Sequence, residues 1–140
     1  MIPNNKYFDE DSAEKSSNVY LMSLFGVMAG LPLPILNLIA TIIFFIGNKK
    51  AQPIVKWHCI QGMISQFVLF IFNSVSFWWT ISILFYKEEI TNNYLSYLIF
   101  VIILNVVELI STIYTAIKVR KGQNIEWWIY GPLTNLILKI

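Results

Sequence analysis

The sequence has 140 residues, of which 56% are hydrophobic and 13% charged, with a formal net charge of +2; soluble domains are usually about 45–50% apolar and about 25% charged. At a mean hydropathy of +0.61, a water-soluble globule would lack the charged side chains to cover its surface, and so small a net charge gives no argument for polyanion binding. Composition therefore argues against a soluble enzyme, a nucleic-acid binder or a disordered tail, and for a small integral membrane protein.

Met1 to Lys6 lacks the basic-then-apolar pattern of a cleaved signal peptide. Residues 1–18 hold Asp9, Glu10, Asp11 and Glu14 beside Lys6 and Lys15. They show no helical apolar periodicity and read as a polar, solvated N-terminal tail. Residues 19–46 form the first apolar segment. Pro32 and Pro34 each remove an amide donor within it, which predicts a kink between two half-helices. A bent span is favoured there, with a re-entrant hairpin as the alternative.

A basic inner loop over 47–59 leads to a second apolar segment at 60–85. A short outer loop at 86–93 precedes a third, at 94–119. Each apolar segment exceeds the roughly 20 residues that carry a helix across about 30 Å of hydrocarbon. None alternates polar and apolar residues as a membrane strand must. After a basic turn at 120–126, residues 127–140 would reach only about 21 Å as a helix. Trp127, Trp128 and Tyr130 at its head suggest an interfacial or partly inserted helix. The expected fold is thus all-α and membrane-integral, with three transmembrane helices, the first kinked at Pro32/Pro34, and a short C-terminal helix.

Cationic residues orient such a chain. In the three-span arrangement one side receives Lys49, Lys50, Lys56, Lys118, Arg120, Lys121 and Lys139, and the other only Lys6, Lys15 and Lys87. The N-terminus is then outside and the first loop and C-terminus inside; a hairpin in the first segment would move the N-terminus inside. Trp57, Trp127 and Trp128 fall at the expected inner boundary, and Trp78, Trp79, Tyr86 and Tyr94 towards the outer one.

Glu108 is the only charged residue well inside an apolar segment. An ionised carboxylate at that depth costs several kcal/mol, so it must be protonated, paired or facing water. With Asn105, Ser111, Thr112 and Thr115 it forms a polar stripe at spacings of three to four. The functional reading is a proton or solute relay; the plainer one is a neutral acid bonded to a neighbouring helix. The second segment has its own stripe of His58, Gln61, Ser65, Asn73, Ser76 and Thr80, expected to face other helices. His58 lies beside Lys56, where water is available, and reads as an interfacial histidine. In the first segment Gly26 and Gly30 match a small-xxx-small packing pattern, with Asn37 and Thr41 extending that face. Cys59 is the single cysteine. Metal binding by His58 and Cys59 is not expected, because adjacent helical residues point apart and there is no further Cys or His. Neither a catalytic motif nor a cofactor site is expected.

The passage from Lys49 to Gly62, with its charged turn, Pro53, Trp57 and His58-x-x-Gln61, resembles the opening of the second span in a family of small uncharacterised bacterial membrane proteins. That family is similar to the chloroplast inner-envelope import translocon channel proteins. The basic turn at Lys118-Val119-Arg120-Lys121-Gly122, followed by Trp127-Trp128 and Tyr130-Gly131-Pro132, is similar to the family's closing segment. Gly62 departs from the alanine usual there, and the Gln123–Glu126 stretch is longer. The resemblance implies a helical protein of the bacterial cytoplasmic membrane without catalytic activity, an accessory of protein translocation or insertion. The expected partners are membrane lipid and other integral membrane proteins or further copies of the chain, with no nucleic acid. A small channel or proton-coupled conduit using Glu108 is the alternative.

Overall fold

The computed structural model describes residues 8–24 and 35–139; the expectations on Gly26, Gly30, Pro32 and Pro34 lie outside those residues. Among the described residues all regular structure is helical: α1 Glu10–Met22, α2 Ile35–Gly47, α3 Pro53–Tyr86, α4 Asn92–Arg120 and α5 Tyr130–Leu138. At 1.5 Å per residue α3 is about 51 Å long and α4 about 44 Å, whereas α1 and α2 reach only about 20 Å each.

The long helices run antiparallel, and their ends follow from local chemistry. Pro53 stands in the first turn of α3, where its missing amide hydrogen would have no helical partner. Lys87, in the left-handed region at φ 54°, ends α3. The Thr91 hydroxyl caps α4 by accepting from the Tyr94 amide at 3.2 Å. Gly122, at φ 76°, ends α4: its amide bonds to Val119 O and the Gln123 amide to Lys118 O. That pair of bonds is the glycine-terminated motif that satisfies a helix's last carbonyls.

The polar stretch expected as a solvated tail is helical from Glu10 onward. Asp9 caps α1 by accepting from the Ser12 amide at 2.9 Å, and Glu10 and Asp11 suit the positive end of the helix dipole. One face of α1 is buried through Ser12, Ala13, Ser16, Ser17, Val19 and Tyr20. The helix is fastened at both ends of the basic region. Gln52 Nε2 donates to Asp9 Oδ2 at 3.1 Å, Ser17 Oγ donates to Ala116 O at 2.9 Å, and Arg120 pairs with Glu14 at 3.7 Å.

These contacts correct the bent-span expectation for residues 19–46. A bent crossing would put the two ends of the first segment at opposite ends of the molecule. Instead, α1 starts beside Gln52 and Arg120, and α2 ends at Gly47, directly before the turn that leads to Gln52. A Cβ built on Gly62 of α3 would lie 2.9 Å from Val19 Cγ1 and 3.8 Å from Thr41 Cγ2, so α1 and α2 pass one level of α3 together. The physical reason is that α1 carries Glu10, Asp11, Glu14 and Lys15, which hold it at the polar end.

The apolar core sits at this end and comprises Val19, Tyr20, Val55, Cys59, Ala116 and Val119. α5 joins it from the C-terminal side. Gly131 and Thr134 are buried, and Trp57 Nε1 donates to Asn135 Oδ1 at 2.7 Å. Trp57 is therefore enclosed, not an interfacial belt residue, whereas Trp128 is 92% exposed. Beyond this core α3 and α4 continue as a pair whose outer faces are apolar and open. Only 11% and 22% of their most apolar 18-residue stretches are buried. A soluble protein's core helix would be mostly enclosed; these two are long and apolar enough to cross a membrane.

Candidate functional site

Polar side chains gather at two levels of the α3–α4 seam. The first lies in the core at the basic end, around Gln61. The chain from Gly122 to Ile129 is not helical, and it runs inward against α3. The Gln61 carboxamide meets it as another peptide group would: Nε2 donates to Ile125 O at 3.2 Å, and Oε1 accepts from the Trp127 amide at 3.0 Å. Non-helical backbone shielded from water needs such partners. Gln61 Nε2 also donates to the Tyr20 hydroxyl at 2.8 Å, whose oxygen lies 2.8 Å from His58 Nδ1. Since Gln61 donates into the phenol oxygen, the phenol's own proton is directed at Nδ1, an order that assigns the imidazole proton to Nε2. Nε2 faces the Asn124 carboxamide without reaching full hydrogen-bond geometry.

His58 is completely buried, which corrects the expectation of a hydrated interfacial histidine. Its ring is walled by Phe8, Tyr20 and Trp57 at centroid distances of 6.1, 5.7 and 5.0 Å. Trp127 stacks on Tyr20 at 5.8 Å and donates from Nε1 to Thr115 Oγ1 at 2.6 Å. The network thus ties α1, α3, α4 and the C-terminal segment together. Tyr20, Gly62 and Trp127 were not singled out by sequence as members of a shared centre; Trp127 looked like an ordinary boundary aromatic.

The second level lies further along the seam. Asn73 and Asn105 exchange hydrogen bonds reciprocally, at 2.8 Å from Asn105 Nδ2 and 3.1 Å from Asn73 Nδ2. Asn105 Nδ2 also reaches Val101 O at 2.7 Å. Further out, the Thr80 and Tyr94 hydroxyls meet at 2.9 Å, and Tyr97 donates to Phe72 O at 3.0 Å. The stripes on α3 and α4 therefore face each other. Glu108, one turn from Asn105 towards the basic end, is 8% exposed. The Ser65 hydroxyl is its hydrogen-bonding neighbour, and its Oε1 is buried without a partner. Asn37 of α2 borders the same cavity as Asn73, Asn105 and Glu108. Sequence-derived candidates thus divide into His58 and Gln61 at one level, and Asn37, Asn73, Asn105 and Glu108 at the other. Among the described residues no three His, Cys, Asp or Glu side chains converge as a metal site.

Residues 14–137 match the magnetosome magnetite crystal formation protein family. The chain belongs to this family. The match spans α2 to α4 in full, α5 except its last residue, and α1 from Glu14 on. No curated protein and no solved structure matches the chain. Membership in the magnetite family overturns the likeness to import translocon channels, and nothing in it supports a part in protein translocation. The residues that carried the likeness have structural duties here. His58 and Gln61 hold the core network, Gly122 ends α4, and Gly131 gives α5 a close approach to Glu126. Short motifs of this kind recur wherever helices must pack in the same way, so they do not separate one helical membrane family from another. A membrane protein is consistent with both the magnetosome family and the two long apolar helices.

Proposed function

We propose that this magnetosome family member is a non-enzymatic, multi-pass protein of the magnetosome membrane that acts in magnetite crystal formation as a subunit of a membrane assembly. The observation that carries the reading is the family match over residues 14–137. The open apolar faces of α3 and α4 support its membrane half, since lipid or a neighbouring membrane protein must cover them.

In this reading α3 and α4 cross the bilayer, and α1, α2 and α5 enter from one side only. The roughly 44 Å length of α4 suits the about 40–45 Å of a bilayer with its headgroups. Lys15, Lys49, Lys50, Lys56, Lys118, Arg120, Lys121 and Lys139 belong to the basic end, and Lys87 to the α3–α4 tip. Such an imbalance orients the basic end towards the cytoplasm. The beginning of α1 then lies on the cytoplasmic side, opposite to the three-span expectation, and Lys87-Glu88-Glu89 lies on the far side. Further copies of the chain, or other membrane proteins of the same compartment, are the partners proposed.

Deleting the coding sequence from a magnetite-forming bacterium that carries it should alter the size or number of the crystals seen by electron microscopy. Reintroducing the wild-type chain should restore them. Unchanged crystals, or a fluorescent fusion that never accompanies isolated magnetosomes, would overturn the proposal.

A further inference from the structure

A groove runs between α4 and the chain at residues 125–130, which folds back beside it. Leu104, Val107, Ser111 and Tyr114 form one wall and Trp127 and Ile129 the other, around a volume of about 620 Å³. From Leu104 to Thr115 the groove follows α4 for about 16 Å, which is half of a hydrocarbon core about 30 Å thick. Its lining is almost wholly apolar, and Val107, Ile110 and Ile129 are exposed along it. The exposed indole of Trp128 borders it as well. Glu108 also borders the groove, but it is buried and lies about 15 Å along the helix from Lys118, too deep to meet a lipid headgroup.

The charge at the mouth of the groove narrows the occupant. Leu104, Val107, Ser111, Tyr114 and Lys118 recur at spacings of three and four, so Lys118 stands over the same stripe one turn beyond Tyr114. Its ammonium lies 5.7 Å from the centroid of the Tyr114 ring, and Lys121 follows three residues later. Among the described residues neither lysine is paired with a carboxylate: Glu14 is taken by Arg120, and Glu126 accepts from Asn135. Two free cations at headgroup depth, over an apolar groove one leaflet long, complement an acyl chain that ends in an anionic phosphate. We propose that this groove binds one anionic phospholipid, with an acyl chain against Leu104, Val107 and Trp128 and the phosphate at Lys118 and Lys121. The inference rests on α3 and α4 crossing a bilayer, as proposed above, and not on a part in magnetite formation.

Native mass spectrometry counts retained lipids directly. The full chain in a neutral detergent, offered equal amounts of dioleoyl phosphatidylglycerol and dioleoyl phosphatidylcholine, should retain one phosphatidylglycerol per chain in preference to phosphatidylcholine. Lys118→Gln and Lys121→Gln should each weaken that retention by about fivefold. Lys49→Gln combined with Lys50→Gln, at the same end but outside the groove, should leave it unchanged. Ser111→Trp fills the groove without altering charge and should also reduce retention; the two lysine variants, both outside the core, keep the proposal testable if Ser111→Trp folds poorly. Equal retention of the two lipids, an equal loss in the Lys49 and Lys50 variant, or full retention by a folded Ser111→Trp chain would each overturn the proposal. A chain that crosses vesicle membranes by α3 and α4 yet holds both lipids equally would overturn this inference alone, whereas a chain that fails to insert would overturn the membrane reading with it.

Discussion

Gln61→Leu is expected to loosen the whole basic end of the molecule. The substitution keeps bulk but removes the partners of Ile125 O and the Trp127 amide, and the donor to the Tyr20 hydroxyl. Each buried polar group left unsatisfied costs about 1–3 kcal/mol. Ile125 O and the Trp127 amide together amount to several kcal/mol, reduced to the extent that residues 123–129 swing out to water, while the Tyr20 hydroxyl keeps His58 Nδ1 as its partner. A net loss on the order of 3 kcal/mol would lower the melting temperature in detergent by roughly 10 °C. Amide hydrogen exchange at Trp127 should accelerate in parallel. Gln61→Glu, as a neutral acid, keeps an acceptor for the Trp127 amide and one of the two donors, and should cost less than Gln61→Leu. Wild-type melting and exchange in Gln61→Leu would show that these bonds contribute nothing.

Gly62→Val should separate α1 from the rest of the bundle. A Cβ at this position would already sit 2.9 Å from Val19 Cγ1, closer than side-chain carbons settle. Val19 is completely buried, so it cannot swing aside. Thr41 Cγ2, at 3.8 Å from the same point, blocks the opposite direction. Overpacking of this kind costs about 1–3 kcal/mol for a well-packed core, and the two further methyls of valine put the change at or above the top of that range. Gly62→Ala should cost less. A direct readout is cross-linking of Glu14→Cys to Arg120→Cys with a short bifunctional maleimide, which should proceed readily in the parent chain, where the two native side chains meet at 3.7 Å, and poorly once Gly62→Val is added. Undiminished cross-linking would mean that α1 does not depend on this close approach.

The long helices were legible because uninterrupted apolar runs have few other solutions, but α3 begins at Pro53, inside the stretch read as a basic loop over 47–59, because a proline in the first turn can open a helix as well as break one. α1 was not legible to a reading that counted only apolar residues. Its buried stripe is Ser12, Ala13, Ser16, Ser17, Val19 and Tyr20, which has helical spacing but is half serine, scattered among acids. Counting small residues along with apolar ones would have exposed it. The polar stripes on α3 and α4 were legible from their spacing, and they face each other. What Gln61 bonds to could not be read, since its partners are main-chain groups brought there by the path of residues 123–129. Gly62 was noticed only as a departure from a motif. Its role follows from two helices meeting at one point of a third, a fact of tertiary packing with no trace in local sequence. The mistaken translocon likeness has the same root, because it rested on residues selected for packing.

The arrangement of α3 and α4 as the crossing pair, with α1, α2 and α5 held at the basic end, is tested most directly by cysteine labelling across a sealed membrane. Cysteines at Glu10, Glu89 and Gln123, all exposed positions, would be challenged one at a time with an impermeant maleimide added to vesicles of known orientation, the native Cys59 being buried. Positions 10 and 123 should react from the same face and position 89 only from the other. Reaction of position 10 from the face that labels position 89 would mean that the first segment crosses the bilayer after all, and would contradict the account.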